Sequence, residues 1–215
     1  AYAADLEVGR SLFIQKSFGY RGVDPQTGVY SFEDVNEDGI ISNPSDIQSY
    51  PEIAQQYFGG VQNTVTFKQF ELSFLVQFVR QTGRPYFFSI NPPGFFNTNQ
   101  PVEVMNRWRE PGDFTSIQKF TSQSITDAGL AFFAARQDGE NAVVNASFLR
   151  LKNASLSYSL PDQVLSKLNL EQIRIYVQGQ NLLTFTDYVG LDPETQSITV
   201  LPPLRSISAG LRLTF

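Results

Sequence analysis

The last eleven residues of the chain alternate strictly between apolar and polar side chains. Because successive side chains of a strand point to opposite faces, this pattern predicts a β-strand with one apolar and one polar face. The apolar face carries Ile207, Ala209, Leu211, Leu213 and Phe215. The predicted strand therefore continues to an aromatic terminal residue, whereas terminal residues in water usually fray.

Five further segments have enough apolar periodicity to be predicted as strands. The clearest begins at Phe70, where every second side chain is aliphatic or phenylalanine. In the segment Val143–Leu160, the apolar phase shifts between Leu151 and Leu156, which predicts a β-bulge. The five segments are Val8–Tyr20, Tyr57–Phe67, Phe70–Phe78, Val143–Leu160 and Ile173–Thr186.

The connections between these six strands are of two kinds. Residues 21–56, 81–141 and 187–203 form long segments, whereas 68–69 and 161–170 are short. Compact soluble domains rarely contain such long loops, but outer-membrane barrels combine short turns at one end with long loops at the other. Counting back from the last residue places the long connections at one end of the sheet. The pattern predicts an all-β membrane barrel, whose final strand must pair because open edges are excluded from lipid.

The composition narrows the function classes. Charged residues make up 17% of the chain, below the roughly 25% of typical soluble domains. The net charge is −5, with no basic cluster, so nucleic-acid binding has no electrostatic support. Histidine and cysteine are absent, which excludes thiolate sites and removes the commonest general base. No catalytic constellation or motif emerges, so the chain is predicted not to be an enzyme.

Two further features concern export and membrane insertion. No apolar run approaches the roughly 18 residues of a membrane-spanning helix. Residues 1–10 lack the basic start and the apolar core of a signal peptide. If the protein is exported, we therefore expect this sequence to be a mature product or a piece of one.

Residues 34–46 begin like a calcium-binding loop. Positions 1, 3 and 5 of the loop carry acidic or amide side chains, and Gly39 at position 6 permits the sharp turn. The twelfth position is Ser45 instead of an acid, and the nearest acid follows it by one residue. The candidate ligands are Asp34, Asn36, Asp38, the carbonyl of Ile40, and Asp46. The spacing predicts Ca²⁺ as a cofactor; the alternative is a polar surface turn held by Asp and Asn hydrogen bonds.

The long segment 81–141 is rich in aromatic side chains. They could stack on sugars or contact a partner, or they could pack the segment against itself. The candidate contact residues are Tyr86, Phe87, Phe88, Phe95 and Phe96. A short helix is also predicted in this segment, with Asn99 as its N-cap, Pro101 in the first turn and Trp108 on its apolar face.

Several motifs, in order along residues 8–215, resemble those of one family. They are EDVNEDGI (33–40), NRW (106–108), SFLRLKN (147–153), YVQGQNLLTF (176–185), GLDPE (190–194) and GLRLTF (210–215). Each motif is short, but the ordered set is specific. The chain resembles the carboxy-terminal end of SusC/RagA-type TonB-dependent transporters of Bacteroidetes outer membranes.

The resemblance implies a defined place in a larger protein. Residues 1–215 would be the carboxy-terminal segment of a barrel of about 22 strands, without the plug domain and the earlier strands. Six strands cannot close such a barrel, so the remainder of the transporter would be the first partner. The long loops would be extracellular and the carboxy-terminus periplasmic.

The resemblance also implies a function and an assembly element. The transporter would import oligosaccharides or peptides, with a SusD-like surface lipoprotein over the loops and TonB acting through the plug. Gly210, Leu211, Leu213 and Phe215 resemble the terminal pattern by which outer-membrane barrels are recognised for insertion. The alternative function is a secreted, soluble β-sandwich module that binds carbohydrate through the aromatic segment.

Overall fold

The computed structural model describes residues 6–95, 98–168 and 170–215. The strands, in chain order, are β1 (Ser17–Phe18), β2 (Tyr20–Val23), β3 (Tyr30–Phe32), β4 (Ile47–Ser49), β5 (Gln55–Phe67), β6 (Phe70–Gly83), β7 (Val144–Asn145), β8 (Phe148–Ser159), β9 (Gln172–Thr186) and β10 (Ser206–Thr214). The α-helices are α1 (Asp127–Asp138) and α2 (Asp162–Leu168), and the 3-10 helices are Tyr86–Ser89, Val102–Asn106 and Glu140–Ala142.

The chain divides into two compact units. The loop unit comprises the residues up to 54, with 82–145 and 196–198. The strand unit comprises residues 55–81, 146–195 and 199–215. The strand unit contains the long antiparallel strands in the order β10-β9-β8-β6-β5. The described residues thus have the all-β fold that the periodicity predicts.

The strand register places most apolar residues of the five long strands on one face. One row of cross-strand neighbours is Phe67, Phe70, Tyr158, Ile175 and Leu211. The next row on this face is Val65, Leu72, Leu156, Val177 and Ala209. The row between them, on the opposite face, is Thr66, Glu71, Ser157, Tyr176 and Gly210. We call these the apolar face and the polar face, and their alternation confirms the predicted pattern.

The apolar face is open. Phe70 is 49% exposed, Val177 48% and Leu211 57%. Soluble monomers rarely expose a contiguous apolar surface of this extent. The β-sandwich alternative required this face to be buried against a second sheet, and that alternative is therefore wrong for the described residues.

The short connections lie at one end of the sheet, as predicted. Lys68 turns the β5–β6 hairpin with a positive φ of 53°. The N–H of Ser159 donates to the carbonyl of Gln69 (2.9 Å), and the N–H of Glu171 donates to the carbonyl of Thr214 (2.9 Å). The hairpin, the α2 connection and the end of β10 therefore meet at the same edge. The predicted bulge is confirmed as a register shift between Leu151 and Asn153.

Three predicted elements differ from the structure. Residues 8–16 form turns and one isolated bridge instead of a strand, since Gly9 adopts a φ of +83°. The predicted strand Val143–Leu160 divides into β7 and β8. The predicted helix is the 3-10 helix Val102–Asn106, which follows Pro101 and ends before Trp108.

Helix α1 was not predicted, because it is held by a cap and by tertiary packing. The hydroxyl of Thr126 accepts the N–H of Gly129 at 3.1 Å, which satisfies a free amide of the first turn. The buried side of α1 joins the core of the loop unit, which consists of Tyr30, Phe88, Phe132, Ala135 and Ala142. The described residues include no helix that is both long and apolar enough to cross a membrane.

Candidate functional site

The polar face carries a buried group of charges centred on Arg150. Its side chain is 1% exposed. Its guanidinium donates to Asp192 Oδ2 at 2.5 Å, to Glu194 Oε2 at 2.7 Å and to Thr184 Oγ1 at 2.9 Å. Arg150 lies on the polar face because its cross-strand neighbours are Gln77 and Thr184. A buried arginine retains its charge, so the two carboxylates are needed to balance it.

The acidic partners are held by the loop that follows β9. Asp192 Oδ1 accepts the backbone N–H groups of Glu194 (2.8 Å) and Thr195 (3.3 Å). Lys152 Nζ lies 3.1 Å from Glu194 Oε2 and adds a second cation. The buried Gln81 side chain donates to the carbonyl of Pro193 at 2.6 Å. These contacts fix residues 192–195 against the strands of the same unit.

Sequence analysis did not predict this charge cluster, although its residues lie in three of the family motifs. Arg150 and Lys152 belong to SFLRLKN, Asp192 and Glu194 belong to GLDPE, and Thr184 belongs to YVQGQNLLTF. The first motif is positively charged and the second is negatively charged, which was the available indication that they pair. Their separation of about forty residues hid the pairing, because no local periodicity connects them.

The rest of the polar face mixes uncharged polar groups with a few apolar side chains, and it carries one further ion pair. Arg174 contacts Glu71 at 2.5 Å, with 30% and 37% of the two side chains exposed. A shallow cavity of about 490 Å³ lies on this face. Its wall includes Phe58, Leu75, Gln77, Lys152, Gln180 and Asn181. The amide and lysine side chains of this wall offer hydrogen-bonding groups, and Phe58 and Leu75 add apolar surface.

The candidate calcium loop is organised by its own hydrogen bonds. Asp34 accepts the N–H groups of Asp38 (3.3 Å) and Gly39 (2.7 Å). The Asn36 amide donates to Asp38 Oδ2 at 2.8 Å, and the other Asp38 oxygen accepts the N–H of Ile40 at 2.8 Å. The first three candidate ligands thus lie together, in the turn geometry that the alternative interpretation describes.

Asp46 closes this loop through hydrogen bonds to the backbone. It is fully buried, and its two oxygens accept the N–H groups of Val35 (2.8 Å) and Ser42 (2.7 Å). The backbone N–H groups of Ser42 and Val35 hold the pKa of Asp46 below its ordinary value. No cluster of three or more His, Cys, Asp or Glu side chains suited to a metal occurs among the described residues. Calcium binding stays a prediction, and it would require Asp46 to share oxygens already bonded to the backbone.

If the loop binds calcium, the ion should stabilise the folded protein. Ca²⁺ at about a hundred times its Kd is expected to add about 2.7 kcal/mol, and Asp34→Asn should remove that gain. Thermal unfolding with Ca²⁺ and with a chelator measures the difference, and Asp24→Asn, in another turn, is the control. Equal unfolding temperatures in both solutions would contradict calcium binding and favour the self-closed turn.

The aromatic candidates have different environments. Phe88 is 6% exposed and belongs to the core of the loop unit, with Phe87 packed against it. The packing alternative therefore describes Phe87 and Phe88. Tyr86 and Phe95 are partly exposed; burial, with the nearby Glu103 carboxylate, raises the pKa of Tyr86 to about 12. Phe96 lies outside the described residues.

The terminal candidates lie on β10 and directly after it. Leu211 and Leu213 lie on the apolar face, and Phe215 is 84% exposed. Gly210 lies opposite Tyr176 on the polar face, and a β-carbon there would lie 2.4 Å from the tyrosine ring. Glycine at this position therefore leaves room for Tyr176. Gly210, one of the predicted assembly residues, thus also has a packing role in the sheet.

Comparison with known proteins identifies the relatives of this two-faced sheet. The TonB-dependent receptor P3 of Formosa agariphila is 29% identical over 171 residues, which are 80% of this chain and 16% of the relative. The TonB-dependent receptor P26 of the same organism is 25% identical over 210 residues, 89% of this chain and 20% of the relative. The resemblance to TonB-dependent transporters is confirmed.

Solved structures specify the type of transporter. The RagAB peptide importer in its closed-closed state matches with a TM-score of 0.72 and 26% identity, over 93% of this chain and 22% of the other. The open-open state matches with a TM-score of 0.71 and 25% identity over the same shares. These neighbours are RagA-type transporters, and the fold of this chain is that of part of the RagA β-barrel. No protein-family profile matches the chain.

The size of the match limits what the chain represents. It spans about a fifth of the length of the receptors and importers that it matches. The five long strands are accordingly a portion of a barrel wall. Its polar face and its open apolar face are the two surfaces on which a function can be based.

Proposed function

We propose that this chain is the carboxy-terminal part of the barrel wall of an outer-membrane, TonB-dependent importer. The observation that carries the proposal is the sheet with one open apolar face and one polar face. Lipid tails cover an apolar face without loss of hydrogen bonds, and a transporter lumen needs polar side chains. Its relatives are receptors and importers, which supports a transport role without chemistry of its own.

The two faces then have assigned surroundings. Phe70, Leu72, Phe74, Val76, Phe78, Ile207, Leu211, Leu213 and Phe215 face lipid. Glu71, Ser73, Gln77, Arg174, Gln178, Ser208 and Arg212 face the lumen and line its wall. The edge with the short connections lies in the periplasm, as in other outer-membrane barrels, and the long connections are extracellular.

The relatives support a proposal for the partners and the cargo. The solved importers with this fold are RagAB complexes that transport peptides. We propose that this transporter likewise works with a SusD-like surface lipoprotein and is driven by TonB through a plug domain outside this chain. The cargo is an oligosaccharide or a peptide.

Fractionation and uptake together test the proposal. The full-length transporter containing this sequence is expected in the outer-membrane fraction, and uptake of labelled oligosaccharide or peptide should stop when TonB is deleted. A matched strain with TonB intact is the control. Recovery of the protein in the soluble fraction, or uptake that continues without TonB, would contradict it.

The end of β10 should matter more for assembly than an average lipid-facing side chain. Phe215→Ala is expected to lower the amount of assembled transporter several-fold more than Phe74→Ala, because the final strand must pair to leave no open edge in lipid. Quantified outer-membrane levels compare the two variants. Equal levels would mean that Phe215 is one lipid-facing residue among many, and that the terminus has no special role.

A further inference from the structure

The loop unit contains a cleft lined by two arginines that form no ion pair with any described residue. It has a volume of about 560 Å³ and lies between the 3-10 helix Val102–Asn106 and the turn that follows it. Its wall includes Met105, Arg107, Arg109, Asp113, Phe114 and Thr115. Neither guanidinium forms an ion pair within residues 6–95, 98–168 and 170–215. Two unpaired cations in one cleft are unexpected in a chain with a net charge of −5.

The guanidinium of Arg107 is positioned by an aromatic ring. It lies 3.7 Å from the centroid of the Phe120 ring. This stacking uses one flat side of the guanidinium and leaves its edge N–H groups available for hydrogen bonds. The backbone of Arg107 is held by a bridge to Ile117. The charged group is therefore oriented before any ligand arrives.

The residue between the two arginines anchors the cleft. The indole Nε1 of Trp108 donates to the carbonyl of Pro25 at 3.0 Å, and the backbone N–H of Trp108 donates to the carbonyl of Ile117 at 2.9 Å. The indole packs directly on Gly28, where a β-carbon would lie 2.3 Å from the ring. Because Trp108 is fixed on both sides, the flanking side chains of Arg107 and Arg109 have a rigid base.

The turn that carries Arg109 is also fixed. One oxygen of Asp113 accepts the N–H groups of Arg109 (2.9 Å) and Glu110 (3.3 Å). The guanidinium of Arg109 donates to the carbonyl of Met105 at 3.0 Å. The acid in the wall is thus used to hold the turn, and the cleft keeps an excess of positive charge. Phe114, 90% exposed, adds an apolar surface at its edge.

We propose that this cleft binds a carboxylate group of a ligand, with Arg107 and Arg109 as the donors. An arginine presents two parallel N–H groups that match the two oxygens of a carboxylate, and such charge-assisted bonds are the strong ones. The exposed Phe114 ring contacts the apolar part next to the carboxylate. The carboxylate comes either from an acidic sugar or from an acidic peptide.

Calorimetric titration of the full-length transporter in detergent tests this inference. The acidic probes are trigalacturonate and a tripeptide with a central glutamate; the neutral counterparts are the methyl-esterified trisaccharide and the tripeptide with glutamine. We expect one acidic probe to bind at least tenfold more tightly than its counterpart. Which of the two binds identifies the source of the carboxylate.

Variants assign the binding to the cleft. Arg107→Gln and Arg109→Gln are each expected to lower the affinity for the acidic probe about tenfold. The affinity for the neutral counterpart should not change. Arg21→Gln is the matched control, since it removes the same charge from an arginine already paired with Glu33 at 3.0 Å. Added salt should lower the affinity for the acidic probe and leave the affinity for the neutral probe unchanged.

Three outcomes would overturn the inference. They are equal binding of acidic and neutral probes, wild-type affinity in both cleft variants, and an equal loss in Arg21→Gln. None of these touches the proposed importer function, which is tested by TonB dependence. A transporter that imports a neutral substrate through TonB, with both cleft variants fully active in binding, would remain an importer without this site.

Discussion

Arg150→Met is expected to lower the free energy of unfolding by about 3–5 kcal/mol, the usual cost of removing one partner of a buried ion pair. The substitution keeps most of the side-chain volume but leaves Asp192 with a buried, unbalanced charge. The same change at Arg174 is the matched control, because that arginine is 30% exposed and Glu71, its partner on the same face, can be solvated. We expect its effect to be about 0–1 kcal/mol.

A double substitution separates the loss of the pair from the loss of packing. Arg150→Met with Asp192→Leu removes both buried charges, and apolar replacement of a buried pair is often neutral or stabilising. The double variant should therefore be more stable than Arg150→Met alone. The measurement is thermal or urea unfolding of the transporter in detergent, combined as a double-mutant cycle. Simple addition of the two single effects would show that the ion pair is not coupled as the 2.5 Å contact indicates.

Val177→Arg should sharply reduce the amount of assembled transporter in the outer membrane, whereas Gln178→Arg should be tolerated. The two residues are adjacent on β9, and they point to the apolar and the polar face respectively. An arginine on the lipid face of a barrel costs about 2–4 kcal/mol at the middle of the bilayer. On the lumen face the same side chain remains hydrated.

Comparison of these neighbours isolates the effect of the face. The strand and the introduced residue are the same, and the two positions are adjacent, so the main difference between the variants is the face on which the arginine lies. Outer-membrane levels and the heat needed to unfold the barrel in detergent are the two measurements. Equal losses would mean that both faces are enclosed by protein, and that the proposed contact with lipid is wrong.

The sequence alone predicted the sheet well, because the relevant information is local. Alternation at Phe70–Phe78 and at the final strand assigns each side chain to a face without any knowledge of the neighbouring strands. The short hairpin at Lys68 and the bulge near Leu151 were also visible as local features. The ordered motifs indicated a resemblance to TonB-dependent transporters, and the comparisons confirmed that resemblance.

The loop unit was predicted less well, because non-local contacts determine its structure. Apolar residues at 8–20 suggested a strand, yet a strand needs a partner over its length. Among the described residues of this segment, pairing is limited to Ser17–Phe18 with β4, Tyr20 with β3 and isolated bridges. Helix α1 has little amphipathic pattern, so its helical state depends on the Thr126 cap and on packing of Phe132 in the aromatic core. Neither condition can be read from periodicity.

The candidate sites divide in the same way. Spacing brought Asp34, Asn36 and Asp38 into one turn, since five consecutive residues cannot move far apart. What the sequence by itself determined is therefore the two-faced strands, the resemblance to TonB-dependent transporters and this local turn. Only the tertiary structure decided that Arg150 meets Asp192, because two charges separated by more than forty residues are paired by the register of three strands and the return of a loop. The spacing of residues along the sequence cannot predict a contact of this kind.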